Sequence, residues 1–144
     1  MIQRIQSVFL LLAAIIMAAL FKIPFAMSDQ AASPFFEDKL FNVLDHTVLT
    51  VLVALGSIVA LVAIFMFRNR NLQLRLGYLG IIASLFLALV AFWLVYSNAD
   101  TMGDAVIEDQ FGLYMPPLAL VFFILANHFI KKDQKTVDSM DRLR

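Results

Sequence analysis

Eight residues, Arg68-Asn69-Arg70-Asn71-Leu72-Gln73-Leu74-Arg75, separate two long apolar runs, 48–67 and 76–96. Each run holds about 20 residues, and a helix of that length rises about 30 Å, the thickness of a hydrocarbon layer. The short link makes the two runs antiparallel neighbours. Its three arginines, with no acid among them, mark the side of a membrane on which it lies.

Two further runs flank this pair. Ile2, Ile5 and Val8 recur at helical spacing with Gln3, Arg4 and Gln6 between them, which suits the interfacial first turns of a helix. Residues 8–21 then carry no polar side chain, Lys22 is placed to snorkel outward, and Pro24 ends or bends the helix, giving a span over about 7–27. A secretory signal peptide is the rival reading, with Arg4 before the apolar stretch and Ala26-Met27-Ser28 as the cleavage site. A retained first helix is the expectation. The last run, about 114–130, opens on Tyr114-Met115-Pro116-Pro117, where proline is tolerated in a first helical turn.

Composition demands the same solvent. Of 144 residues, 62% are hydrophobic and 15% charged, an apolar excess that a domain of this size cannot bury. The chain is therefore expected to be one all-α membrane domain, with four transmembrane helices in an antiparallel bundle. Between the spans, 28–46 starts with turn chemistry and continues as a short amphipathic segment suited to a surface helix. Asp45 or Thr47 is placed to cap the second span. Residues 98–112 read as an acidic loop with at most a short helix inside. In the tail, 131–144, Val137, Met140 and Leu143 share a helical face, and Asp138 and Arg142 form an i,i+4 pair.

The zero net charge conceals a strong segregation. Arg4, Arg68, Arg70, Arg75, Lys131, Lys132, Lys135, Arg142 and Arg144 fall on one side of the four spans, leaving Lys22 and Lys39 on the other with eight of the 11 acids. The positive-inside bias puts both termini in the cytoplasm, so the chain is expected in a bacterial inner membrane. Trp93, Tyr96, Phe111 and Tyr114 suit an aromatic belt at the opposite face.

Gly77, Gly80, Ser84, Ala88 and Ala91 draw a stripe of small residues down the third helix, and Gly56 and Ala60 do so on the second. Small residues let helix backbones approach closely, so Gly56, Ala60, Gly77, Gly80, Ser84 and Ala88 are helix-packing or partner-docking candidates, with packing inside the bundle the weightier reading. Arg68, Arg70, Arg75, Lys131, Lys132, Arg142 and Arg144 are candidates for contact with anionic lipid or a partner at the cytoplasmic face. His46 beside Asp45 lacks the ligand spacing of a metal site and reads as a helix-end residue. Asn127-His128, one turn before Lys131, is placed to bond headgroups or loop carbonyls. No ionisable residue falls in the middle of a span, which disfavours an ion-coupled transporter or proton channel. There is no cysteine, nucleophile elbow or phosphate loop, so neither an enzyme nor a cofactor is expected.

Three stretches carry a family resemblance. Met1-Ile2-Gln3-Arg4-Ile5-Gln6-Ser7 before an apolar run, Asn69-Arg70-Asn71-Leu72-Gln73-Leu74-Arg75-Leu76 at the centre, and Leu125-Ala126-Asn127 with Ile130-Lys131-Lys132-Asp133-Gln134-Lys135 and Asp141-Arg142-Leu143-Arg144 at the end resemble a small inner-membrane family of Bacteroidetes catalogued as a domain of unknown function. The resemblance implies four helices, a cytoplasmic tail and an uncleaved first helix, and no activity.

The expected function is that of a non-enzymatic accessory subunit of a larger inner-membrane assembly, of which export or envelope assembly is the more specific form. Its expected partners are membrane lipids and other integral membrane proteins, with no nucleic acid. The alternative is a small transporter or lipid-binding protein, which needs a water-accessible polar cleft such as one formed by Thr50, Ser57 and Ser84.

Overall fold

A computed structural model describes residues 5–29, 38–99 and 107–141. It has four helices, α1 (Ile5–Ala19), α2 (Thr47–Phe65), α3 (Arg70–Ala99) and α4 (Phe111–Asp141), and three short strands, β1 (Ala26–Ser28), β2 (Leu40–Phe41) and β3 (Ile107–Asp109). α1 packs on α2 and α4, and α3 packs on α2 and α4, so the helices close a four-membered ring. Helices α2, α3 and α4 are each long and apolar enough to cross a membrane.

Large apolar side chains cover much of the outside of the ring. On α2, the buried positions Leu49, Val53, Gly56, Ala60 and Ala63 follow each other at four, three, four and three residues, the spacing of one helical face. The opposite face holds Val48, Val51, Leu55, Ile58, Val62 and Phe65, all exposed. The buried face thus sets Gly56, Ala60 and Ala63 beside Leu49 and Val53, while the exposed face is made of large apolar residues, a surface compatible with a membrane helix whose small residues let a neighbouring backbone approach. α3 and α4 likewise carry large apolar residues on the outside, with Ile82, Phe86, Leu89, Val121 and Ile124 exposed.

The glycines show how close that approach is. A Cβ built on Gly80 would lie 2.3 Å from Cε1 of Phe123, and one on Gly56 would lie 2.9 Å from Cε of Met17. Phe123 and Met17 are fully buried. The small-residue stripe on α3 is therefore covered by α4 of the same chain, and the one on α2 by α1. Gly56, Ala60, Gly77, Gly80, Ser84 and Ala88 are all buried inside the ring.

Several elements differ from the sequence expectations. The link between α2 and α3 is shorter than eight residues. Met66 closes α2 with its N–H on the Val62 carbonyl, and Asn69 opens α3. The Asn69 side chain accepts from Leu72 N–H at 3.2 Å and its carbonyl accepts from Gln73 N–H at 2.9 Å, satisfying donors that a helix start leaves unpaired. Arg70 to Arg75 are thus the first turns of α3 rather than loop.

The first apolar run outlasts its helix. α1 ends at Ala19, and 20–23 tighten into turns. Ile23 precedes a proline, which disfavours continued helix, and Phe25 and Ala26 are buried in a small sheet. The chain is accordingly not purely α-helical. β1 lies between β2 and β3, antiparallel to both, with Ala26 opposite Phe41 and Asp109. Phe25 and Phe41 pack with ring centroids 5.8 Å apart, giving the sheet its own apolar centre beneath the helix ends.

That sheet replaces part of the expected surface helix and acidic loop. Residues 40–41 are strand and Val43–Asp45 a 3-10 turn, while 30–37 and 100–106 lie outside the described residues. At the start of α2 the capping residue is His46, whose Nδ1 accepts from Val48 N–H at 3.3 Å, rather than Asp45 or Thr47. Asp45 instead accepts from Asn42 N–H. α4 begins three residues before Tyr114, so Pro116 and Pro117 sit in its second turn, not its first. Its leading amides are taken by the sheet side: Gly112 N–H donates to the Pro24 carbonyl at 3.1 Å and Gln110 N–H to Phe25 at 3.0 Å. Trp93, Tyr96, Phe111 and Tyr114 are all exposed at this end.

Two substitutions test these contacts. Gly80→Leu forces a side chain into Phe123 and is expected to cost about 1–3 kcal/mol, read as a lower melting temperature in detergent than for an exposed control such as Asp38→Asn. Gly112→Ala is expected to lower it as well, because its Cβ would lie 2.3 Å from the Pro24 carbonyl oxygen, a backbone atom that cannot rotate away. Unchanged melting of either variant contradicts the packing described.

Candidate functional site at the basic end

The opposite end of the ring gathers the start of α1, the end of α2, the start of α3 and the last third of α4. Chemistry concentrates here. The Gln73 side chain is fully buried, and its Nε2 donates to the Ala63 carbonyl at 2.9 Å. The buried Gln6 side chain donates across the ring to Gln73 Oε1, a long contact of 3.4 Å. One turn along α3, Gly77 leaves the space that Asn127 occupies: a Cβ there would fall 1.9 Å from Asn127 Oδ1. Asn127 is 4% exposed, and among the described residues neither of its amide atoms has a hydrogen-bond partner. Each helix therefore contributes one polar group to a buried amide layer: Gln6 from α1, the Ala63 carbonyl from α2, Gln73 from α3 and Asn127 from α4.

Beyond that layer the end opens into a cleft of about 1200 Å³, with Gln6 at its base and Phe65, Arg68, Arg70, Asn71 and Asp133 among its walls. Arg70 Nη2 lies 3.1 Å from Asp133 Oδ2, an ion pair held by proximity rather than by an aligned hydrogen bond. Gln134 Nε2 donates to Asn71 Oδ1 at 3.1 Å. These two contacts tie the far part of α4 to the start of α3. The tail expected after residue 130 is thus no separate segment, since α4 continues as helix to Asp141.

The basic residues expected to act at a membrane face divide by role. Arg68 and Arg75 are exposed, with Arg68 on the cleft wall, while Arg70 is engaged with Asp133. Lys131 lies over the Tyr78 ring, 5.2 Å from its centroid, and Lys132 and Lys135 are exposed. Arg142, Arg144 and the Asp138–Arg142 pair lie outside the described residues or side chains.

Other expected site residues are placed elsewhere. His128 is exposed and meets the Phe129 ring edge-on at 5.6 Å, whereas its neighbour Asn127 faces the interior rather than headgroups. The hydroxyls of Thr50, Ser57 and Ser84 donate to carbonyls close along the chain, Val43, Val53 and Gly80, each at 2.8 Å. They form no polar cleft together.

The buried amides are what sequence reasoning missed. By pattern Gln6 belongs to interfacial turns and Gln73 to the link, whereas both are buried. The signal was present: extending the Gly77-Gly80-Ser84 stripe back by four residues lands on Gln73, so one helical face continues into the amide layer.

The layer makes an asymmetric prediction. Gln73→Leu strips the Ala63 carbonyl of its donor and is expected to destabilise by about 1–3 kcal/mol. Asn127→Leu replaces an unpaired amide by an apolar group of similar shape and is expected to be neutral or stabilising. Thermal unfolding of both in one detergent decides; equal losses would show that Asn127 has a bonding partner.

Among protein families, the chain matches the domain of unknown function DUF4293 over residues 2–143. Neither the curated proteins nor the solved structures yielded a match. With the match running through the four helices, the small sheet and the basic end alike, the chain belongs to the DUF4293 family.

Proposed function

We propose that the protein is a non-enzymatic, multi-pass membrane protein serving as an accessory subunit of a larger inner-membrane assembly, and that its basic end is the docking element. On this reading four antiparallel helices cross the bilayer, α1 doing so together with the turn at 20–23, and both termini are cytoplasmic. The segregation of basic residues supports the orientation.

One observation carries the docking role. α4 does not stop where its apolar run ends near Ile130 but continues as helix to Asp141, about 16 Å further at 1.5 Å per residue. Arg70–Asp133 and Gln134–Asn71 fix its direction, so Lys131, Lys132 and Lys135 stand on a braced helix rather than a loose tail. The stripe residues, occupied within the chain, leave this extension as the more suitable surface for a partner. The alternative, a lipid-binding protein, is favoured by the cleft beside the extension.

The test is affinity purification of the tagged full chain from its native membrane in mild detergent. A stoichiometric partner is expected, and the triple variant Lys131→Gln, Lys132→Gln, Lys135→Gln is expected to lose it while melting like the parent. Recovery of the chain alone at every expression level contradicts the proposal.

A further inference from the structure

The basic-end cleft has a composition suited to a specific amphiphile. We infer that it binds the headgroup of an anionic phospholipid, with an acyl chain running down the outer face of α2. The inference rests on the reading that this end lies at a membrane surface.

Three observations converge on it. The first is charge. Among the described residues the charged walls of the cleft are Arg68, Arg70 and Asp133, and the last two are paired. One positive charge remains in excess, on Arg68, which has no carboxylate partner among the described residues. A guanidinium presents a fork of N–H donors that matches phosphate oxygens.

The second is donor polarity. Asn69 and Asn71 also line the cleft. The Asn69 side-chain oxygen is occupied by Leu72 N–H, and that of Asn71 by Gln134 Nε2. Each carboxamide oxygen accepts one hydrogen bond within the protein, and among the described residues neither NH2 group is given to a partner, so both have N–H groups to donate. A phosphodiester, which only accepts, fits Arg68 and these two amides, and Gln134, whose Nε2 is given to Asn71, leaves its oxygen for a headgroup hydroxyl; among the described residues a headgroup bearing an added ammonium meets no carboxylate in the cleft but Asp133, which Arg70 engages.

The third is the apolar wall. Phe65 and Phe67, 72% and 59% exposed, border the same cleft directly beside Arg68. Below them the exposed residues Val62, Ile58, Leu55 and Val51 continue one apolar track along α2. A soluble anion has no use for that wall, whereas an acyl chain does. Basic pockets between helices at the cytoplasmic face are established positions for lipid headgroups.

The experiment uses the delipidated full chain in mild detergent, with lipid retention read by native mass spectrometry and melting temperature in parallel. Phosphatidylglycerol is expected to be retained and to raise the melting temperature; phosphatidylcholine and inorganic phosphate are not. Arg68→Gln is expected to weaken phosphatidylglycerol roughly tenfold, the scale of one charge-assisted contact. Arg75→Gln, an exposed arginine outside the cleft, is expected to bind as the parent does. Phe67→Ser removes an exposed ring without altering charge and is also expected to weaken the lipid. Equal retention by Arg68→Gln, equal retention of phosphatidylcholine, or stabilisation by inorganic phosphate matching that by the lipid each overturns the inference, the last in favour of a soluble-anion site. These measurements are made on the isolated protein, so loss of lipid selectivity and failure to capture a partner are separate results.

Discussion

The closeness of α3 to α4 is the constraint on which the rest of the molecule depends. Phe123 lies over Gly80, and Asn127 fills the space left by Gly77. Any side chain at either glycine would hold the helices apart. Because the ring has only four members, a wider α3–α4 gap would also loosen the contacts each makes with its other neighbour. Dispersion at such contacts is small per atom pair and adds up only where surfaces meet closely. In a helix assembly whose outer surface is as apolar as its inner one, burying apolar area gives little preference for inside over outside. Size complementarity decides instead, which explains why the large buried residues Phe123 and Met17 each face a glycine.

Against that apolar background the buried amides matter disproportionately. Gln73 and Gln6 bond across the ring and Gln73 also bonds the last part of α2, so the register of three helices is set by directional contacts at one level. A slip of one residue would misplace both donors. Asn127 completes the layer geometrically but not chemically, since its amide atoms have no partner among the described residues. The polar layer then grades into the cleft and its ion pair, so the molecule has one end organised by hydrogen bonds and charge and an opposite end organised by a strand trio and aromatic rings.

Much of this was legible in the sequence, and the failures have physical reasons. Apolar length located all four helices, and the spacing of Gly77, Gly80 and Ser84 identified the face that α4 covers. The ends of elements were harder. Apolarity alone does not distinguish a helix from a buried strand, so Phe25 and Ala26 were read as span. The three arginines make 68–75 look like a loop, although Asn69 is a good helix cap and Gln73 lies four residues before Gly77 on the buried face. Pairings such as Arg70–Asp133 join residues more than sixty positions apart, and no local pattern announces them. The cleft was missed for the same reason, since its walls come from α1, the α2–α3 link and α4 together.

The small sheet has a kinetic consequence. β1 meets β2 after eleven intervening residues, but its other neighbour, β3, lies roughly eighty residues downstream. Contacts of such long sequence separation form late because the intervening chain must first be ordered. During synthesis, the free edge at Ala26 therefore waits until α2 and α3 have been made. Only then do Gln110 and Gly112 reach the carbonyls of Phe25 and Pro24, and the same bonds that seat the edge strand aim the start of α4 into the remaining gap between α1 and α3. The last helix is thus guided into place from one end, and the ring closes in the order in which the chain is read.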